Sequence, residues 1–192
     1  MLRRRVKRFN DYLLEMRNLI GIDQYDRIAK LSRMVFTSLN AEKLILLMEE
    51  LEKALRGIRL PQYYGKVRAT LFEEYVYRLL ERRLPPEFTV IRNYPVGISD
   101  QYFINLDIAV LKNKALCSAI ECKVELDAAR LKNSIGNFVL LKAVYSHVLT
   151  FIVYIRPEIS SDLLKITLLK GLVDGIYSIM EIGELALFLS RL

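Results

Sequence analysis

Residues Phe103 to Lys123 constrain the fold of this chain more than any other stretch. They read F-I-N-L-D-I-A-V-L, then K-N-K, then A-L-C-S-A-I-E-C-K. Two apolar runs of strand length flank a polar break, so the segment is predicted to be a β-hairpin turning at Lys112 to Lys114. Side chains alternate faces along a strand. Ile104, Leu106, Ile108 and Val110 then share one face of the first strand, and Asn105, Asp107 and Ala109 the other. On the second strand Ile120, Cys122 and Val124 share a face, and Cys117, Ala119, Glu121 and Lys123 take the opposite one. The pattern puts Asp107, Glu121 and Lys123 on one side of one sheet, on adjacent strands.

Two carboxylates and a lysine within apolar sequence are costly to desolvate without partners. A divalent cation resolves the cost. Oxygen ligands suit Mg²⁺, which takes one or two carboxylates and keeps waters and substrate phosphates. A lysine two residues beyond the glutamate would sit beside that metal, near an attacking water or a scissile phosphate. This is the equipment of metal-assisted phosphodiester hydrolysis. The bland alternative is a cross-strand ion pair of Asp107 with Lys123, with Glu121 solvated at a strand end.

Asp107, thirteen intervening residues and then Glu121-Cys122-Lys123 resemble the D…(D/E)-x-K signature of the PD-(D/E)XK nuclease superfamily. That superfamily includes restriction endonucleases and archaeal Holliday-junction resolvases. Glu121-Cys122-Lys123 is the only E-x-K or D-x-K in the 192 residues, and its place at a strand end carries more weight than the pattern itself. Upstream, Gly65 and the run Leu71-Phe72-Glu73-Glu74-Tyr75-Val76-Tyr77-Arg78-Leu79-Leu80 are similar to the family's first core helix, written G…fE..v..ll. One departure is Asn105-Leu106, where the family usually has a proline before the aspartate.

The resemblance implies a restriction-endonuclease-like α/β fold, an αβββαβ core with a central mixed sheet flanked by helices, over residues 65–192. It implies a Mg²⁺- or Mn²⁺-dependent endonuclease acting on DNA, with homodimerisation for two-strand cutting. Asp107, Glu121 and the backbone carbonyl of Cys122 would hold the metal. Lys123 would orient or activate the water, and Glu73 would be an outer or second-metal ligand. Related nucleases often place a Gln, Lys or Tyr from the helix after this motif near the site. No Gln is present there, so Lys132 and Lys142 are the stand-ins. The second reading is a catalytically inactive nucleic-acid-binding protein with the same fold, since fold does not fix function. An RNA-cleaving enzyme is the third.

Charge placement separates the ends of the chain. Residues 1–57 carry 12 basic and 8 acidic side chains, residues 58–84 carry 6 and 3, and residues 85–192 carry 11 and 11. The net +7 thus lies wholly upstream of the hairpin. It fits a phosphate-contacting surface, with Arg3, Arg4, Arg5, Lys7, Arg8, Lys66 and Arg68 as its candidates. The other reading is a solvated basic face. Rare Gln, a single His and abundant Ile, Leu, Lys, Arg and Glu hint at a thermophile.

Helical periodicity predicts three N-terminal helices, over 2–20, 24–39 and 41–56. The basic cluster would occupy the first turns of the first helix, opposing its dipole. DNA phosphate is the anion expected to relieve that. Asp23 and Asn40 are the expected N-caps of the next two. The stripe Leu44, Leu47, Met48, Leu51 and Leu55 needs a partner, either the other helices or a second copy. Arg59 to Gly65 reads as a linker, separating a helical region at 1–57 from the nuclease-like core at 65–192. Beyond it the predicted order is a helix at 66–83, strands at 88–94 and in the hairpin, a helix at 128–147 capped by Asp127, a buried strand at 148–155, a helix from Ser160 or Ser161, a strand at 176–182 and a helix at 184–191.

Several classes are excluded or disfavoured. Neither G-x-G-x-x-G nor G-x-x-x-x-G-K-[ST] occurs, so nothing supports a nucleotide cofactor. One histidine, His147, gives no basis for a Ser-His-Asp triad. Cys117 and Cys122 point to opposite faces and read as buried thiols. The longest apolar run, Val148 to Ile155, is too short to span a membrane, and the basic start lacks the apolar stretch of a secretory signal. An intracellular, cytoplasmic protein is expected.

Overall fold

The computed structural model describes residues 6–56 and 61–192. The element order is α1 (Phe9–Met16), α2 (Ile22–Ser38), α3 (Ala41–Leu55), α4 (Pro61–Arg83), β1 (Phe88–Gly97), β2 (Phe103–Lys112), β3 (Ala115–Leu126), α5 (Ala128–Val144), β4 (Leu149–Pro157), α6 (Ser161–Leu169), β5 (Gly175–Ser178) and α7 (Ile182–Leu189). From α4 onward this is the predicted α-β-β-β-α-β-α-β-α order. The chain divides into two compact units, residues 1–79 and 80–192.

The first unit is helical. Asn40 caps α3 by accepting the Lys43 N–H at 2.9 Å, as its side chain and position dictate. Leu44, Leu47, Met48, Leu51 and Leu55 are all buried within the chain. The stripe is therefore covered by this chain's own residues, and the alternative of a dimer interface on it is dropped. Leu39 ends α2 in the left-handed region at φ 49°, and its carbonyl accepts the Tyr75 hydroxyl at 2.7 Å.

Three predictions for this unit need correction. Helix α1 starts at Phe9, so Lys7 and Arg8 precede the helix instead of occupying its first turns; Arg3, Arg4 and Arg5 lie outside the described residues. Its N-terminus is also satisfied by protein carboxylates: Asp11 accepts the Arg8 N–H and Glu74 accepts the Phe9 N–H, each at 2.8 Å. No phosphate is required to complete it. Gly21, not Asp23, is the N-cap of α2, and Asp23 lies in its first turn, where a carboxylate still favours the helix dipole. Pro61 to Gly65, expected as linker, open α4. Proline is accommodated in a first helical turn, where its missing N–H would lack a helical partner anyway. The rest of the expected linker, and the predicted closure at Gly57, lie outside the described residues.

In the second unit the five strands lie in the order β1-β2-β3-β4-β5. The β1–β2 and β2–β3 pairs are antiparallel, while β3–β4 and β4–β5 are parallel. Connection length explains the change. A two-residue loop, Asn113-Lys114, joins β2 to β3, with Lys112 paired to Ala115. Both loop residues have positive φ, 51° and 69°, the turn whose twist matches that of the strands it joins. Helix α5 makes the crossover from β3 to β4, which a parallel pair requires. Asp127 caps it by accepting the Arg130 N–H at 2.8 Å.

Leu131, Phe138 and Leu141 of α5 share one core cluster with Ala109, Leu111, Ala119 and Ile152 of the sheet. The interior of β4, Thr150 to Val153, is buried at every position, as its unbroken apolar run predicts. One register correction concerns Cys117. Val110 pairs with Ser118 but Leu111 with Leu116, so Cys117 is the extra residue of a β-bulge. Leu116 takes the place on the Ala119 face that strict alternation gave to Cys117. Both cysteines are free. No helix among the described residues is long and apolar enough to cross a membrane.

Candidate active site

The site is built where two strands part. The β2–β3 ladder ends at the pair Ile108–Ile120. Beyond it β2 stays paired with β1 as far as Phe103–Gly97, and β3 stays paired with β4 as far as Leu126–Pro157. The fork leaves backbone groups that need partners. Asp107, the first residue past the ladder on β2, supplies one: its Oδ2 accepts the Cys122 N–H at 2.8 Å. That bond fixes the Asp107 carboxylate beside β3.

Glu121 and Lys123 rise from β3 on the same side. Lys123 Nζ lies 2.5 Å from Glu121 Oε2 and 3.3 Å from Asp107 Oδ2. The three side chains named from the sequence are thus brought together. Glu121 is not solvated, contrary to the bland alternative: the residue is 4% exposed. Its second oxygen, Oε1, is fully buried and makes no hydrogen bond of normal geometry.

The charges respond to this packing. Burial, then the Asp107 charge, raises the Glu121 pKa above the ordinary glutamate value, against the opposing pull of Lys123 and of the Asn137 amide. Burial alone would lower the Lys123 pKa, but the Asp107 and Glu121 carboxylates override it and raise it well above the usual lysine value. Lys123 is a fixed cation between two carboxylates. It offsets only part of their charge, and its bond to Glu121 is to Oε2.

A buried carboxylate oxygen with no hydrogen bond of normal geometry, one residue from a second carboxylate's anchor, is the donor chemistry of a hard cation. Asp107 and Glu121 are the residues that could hold it. No three His, Cys, Asp or Glu side chains converge among the described residues, so the remaining ligands would be backbone, water or substrate oxygens.

Sequence reasoning missed Asn137. Its amide, on α5, is the helix group that acts on Glu121. Helical spacing carried a signal for it, because Asn137 follows the buried Ser134 by three residues and adjoins the buried Phe138. Of the proposed stand-ins, Lys132 lines a groove with Asn137. Lys132 is exposed, and Lys142 pairs with Asp174 at 2.6 Å. Glu73 lies on α4 in the first unit, half-buried, with partners of its own. Its neighbour Glu74 is engaged by Phe9 and Arg78.

The basic candidates of the first unit are unequal. Lys7 pairs with Glu15 at 2.6 Å and its ammonium sits 3.8 Å above the Tyr12 ring. Arg68 stacks 4.7 Å over Tyr64. Lys7 and Lys66, far apart in sequence, line one groove with Tyr12 and Tyr63.

No protein-family model matches the chain, and no curated protein matches it. Among solved structures it is similar to the Bse634I restriction endonuclease, with a TM-score of 0.50 and 14% identity over 75% of this chain and 83% of that one. It is also similar to protein VC1899 from Vibrio cholerae, with a TM-score of 0.51 and 16% identity over 97% of this chain. The chain spans 57% of that protein. The likeness to Bse634I shows the fold: the chain has a restriction-endonuclease-like fold.

Proposed function

We propose that this restriction-endonuclease-like chain is a divalent-metal-dependent endonuclease that hydrolyses DNA phosphodiester bonds. The observation that carries the reading is the orphaned Oε1 of Glu121, buried beside Asp107 and Lys123. A folded protein keeps such an atom at a cost of about 1–3 kcal/mol unless a ligand satisfies it, and buried unsatisfied groups concentrate at working sites.

Asp107 and Glu121 would hold Mg²⁺ or Mn²⁺, with the Cys122 carbonyl as a backbone ligand. The bound cation would supply Lewis-acid charge stabilisation and a more acidic water. Lys123, kept cationic by its two carboxylates, donates hydrogen bonds toward the attacked phosphate and stabilises the charge that develops there. Asn137 steadies Glu121 in its ionised form. The bond from the Cys122 N–H sets the position of Asp107, so the carboxylate is preorganised rather than recruited. The basic surface around Lys7, Arg8, Lys66 and Arg68 would contact DNA phosphates. Cutting both strands of a duplex would call for two copies of the chain.

The test is cleavage of a panel in Mg²⁺ or Mn²⁺: plasmid, linear duplex, single strand, four-way junction and structured RNA. Wild type is expected to cleave a DNA member, and Asp107→Ala and Lys123→Ala to lose that cleavage while still binding. Full cleavage by Asp107→Ala refutes the assignment. Salt-sensitive binding without cleavage transfers the reading to an inactive DNA-binding protein. Cleavage confined to RNA reassigns the substrate.

A further inference from the structure

We propose that Phe103 is a stacking platform for one unpaired DNA base next to the cleavage site. The inference rests on the nuclease reading only for its statement of where the base lies.

Past the fork, β2 alternates cleanly. Ile104 and Leu106 are buried, while Phe103 and Asn105 are exposed and Asp107 is half-exposed. The period of two puts Phe103, Asn105 and Asp107 in one row on one face. Phe103 is 59% exposed although it lies within a strand, and its neighbour Tyr102 is 50% exposed. Two adjacent, open aromatics on a sheet arm leading to a site offer apolar surface that a ligand could cover.

The ring is also seated. Phe103 pairs with Gly97 across the β1–β2 ladder. A Cβ at Gly97 would lie 3.5 Å from the Phe103 Cε1 and 3.8 Å from its Cδ1. The ring therefore lies beside Gly97 on the neighbouring strand. The turn beneath is fixed by bonds from the Ile98 and Ser99 N–H groups to the Tyr102 carbonyl, at 2.8 and 3.2 Å. This is a platform positioned before a ligand arrives, which limits the ordering cost of binding.

The occupant follows from position. Four residue steps along the strand separate Phe103 from Asp107, about 13 Å, or about four stacked base steps at 3.4 Å each. A duplex base inside its stack has no free face to offer. An unpaired or flipped base does, and every base has a π-face. Asn105, between the ring and the carboxylate, can donate to and accept from a base edge or phosphate oxygen. A strand whose phosphate reaches Asp107 would lay a nearby unpaired base on Phe103.

The chain contains no tryptophan, so Phe103→Trp installs a single fluorescent reporter at the platform. Binding of a fluorophore-labelled thymidine 20-mer and of a blunt duplex is followed by anisotropy without divalent metal. In parallel, the tryptophan emission of the Phe103→Trp protein is read with unlabelled oligonucleotide. The single strand is expected to quench that emission. Phe103→Ala is expected to lose about tenfold or more in single-strand affinity, with duplex affinity and the salt slope unchanged because no charge is removed. An unquenched tryptophan with the oligonucleotide bound, wild-type affinity in Phe103→Ala, or no single-strand binding by wild type each overturns the platform. Failure of the nuclease reading looks different: no Lys123-dependent cleavage of any substrate, with the quench intact.

Discussion

Two glutamates in this chain are buried alike and used differently. Glu74, in the helical unit, is 3% exposed, and Glu121, in the sheet unit, is 4% exposed. Each has a basic partner at 2.5 Å, Arg78 four residues on and Lys123 two residues on. The second oxygen separates them. Glu74 Oε2 accepts the Phe9 N–H, so the carboxylate spans α4 and the start of α1, whereas Glu121 Oε1 has no such bond. Glu74 is a finished structural joint that also completes a helix N-terminus. Glu121 lacks that second bond, and burial followed by the Asp107 charge raises its pKa.

That contrast predicts opposite responses to substitution. The largest effect is on turnover. Lys123→Ala should lower DNA cleavage by about 10²–10⁴-fold, read from initial rates in Mg²⁺. Equal loss of cleavage in Glu74→Gln would erase the distinction.

Stability should show the reverse. Glu74→Ala strands the Phe9 N–H and the Arg78 guanidinium, at a cost of about 2–3 kcal/mol, reduced from the fully buried value because Arg78 is partly solvated. Denaturant unfolding measures it. Glu121→Gln removes a charge that the fold disfavours. With its folded pKa above the unfolded one, ionised Glu121 weakens the fold at neutral pH, a penalty relieved as pH falls through the raised value. Glu121→Gln should therefore leave stability level or raise it by up to about 1 kcal/mol. A loss comparable to that of Glu74→Ala would sink the comparison.

A third carboxylate sharpens it further. Asp174 Oδ2 accepts from the Thr150 N–H, the Thr150 hydroxyl and Lys142, at 2.7, 2.9 and 2.6 Å. Burial would raise its pKa, but these bonds outweigh it and hold the pKa below the ordinary value of 3.8. Its contribution is therefore present above pH 3.8 and is lost as pH falls through the depressed folded value. Asp174→Ala should cost about 1–2 kcal/mol at neutral pH, tempered by partial exposure, and the deficit should shrink in acid. The smallest effect is at the basic surface. Lys66→Ala should reduce the salt slope of DNA binding by about 1 while cleavage chemistry is kept.

The sheet unit is legible in the sequence because its signals are local. Alternation locates β2 and β3, and Asn113-Lys114 sits where the polar break predicts the turn. The unique Glu121-Cys122-Lys123 places two charges at a strand end. The helical unit is less so. Nothing local near Phe9 says that a carboxylate 65 residues away, Glu74, caps α1, so the basic cluster suggests a phosphate instead. Pro61 and Gly65 look like breakers because sequence alone does not say whether a proline lies within a helix or in its first turn. The bulge at Cys117 and the reach of Asn137 to Glu121 depend on how β2 and α5 pack on β3, which periodicity does not encode.

The most direct test is calorimetric titration of Mn²⁺ into wild type, Glu121→Gln and Glu74→Gln, without DNA. The account predicts one divalent-cation site in wild type and in Glu74→Gln, with affinity lowered about tenfold or more in Glu121→Gln. Unchanged Mn²⁺ binding in Glu121→Gln would contradict it, because the buried oxygen at the fork of β2 and β3 would then not be a metal ligand.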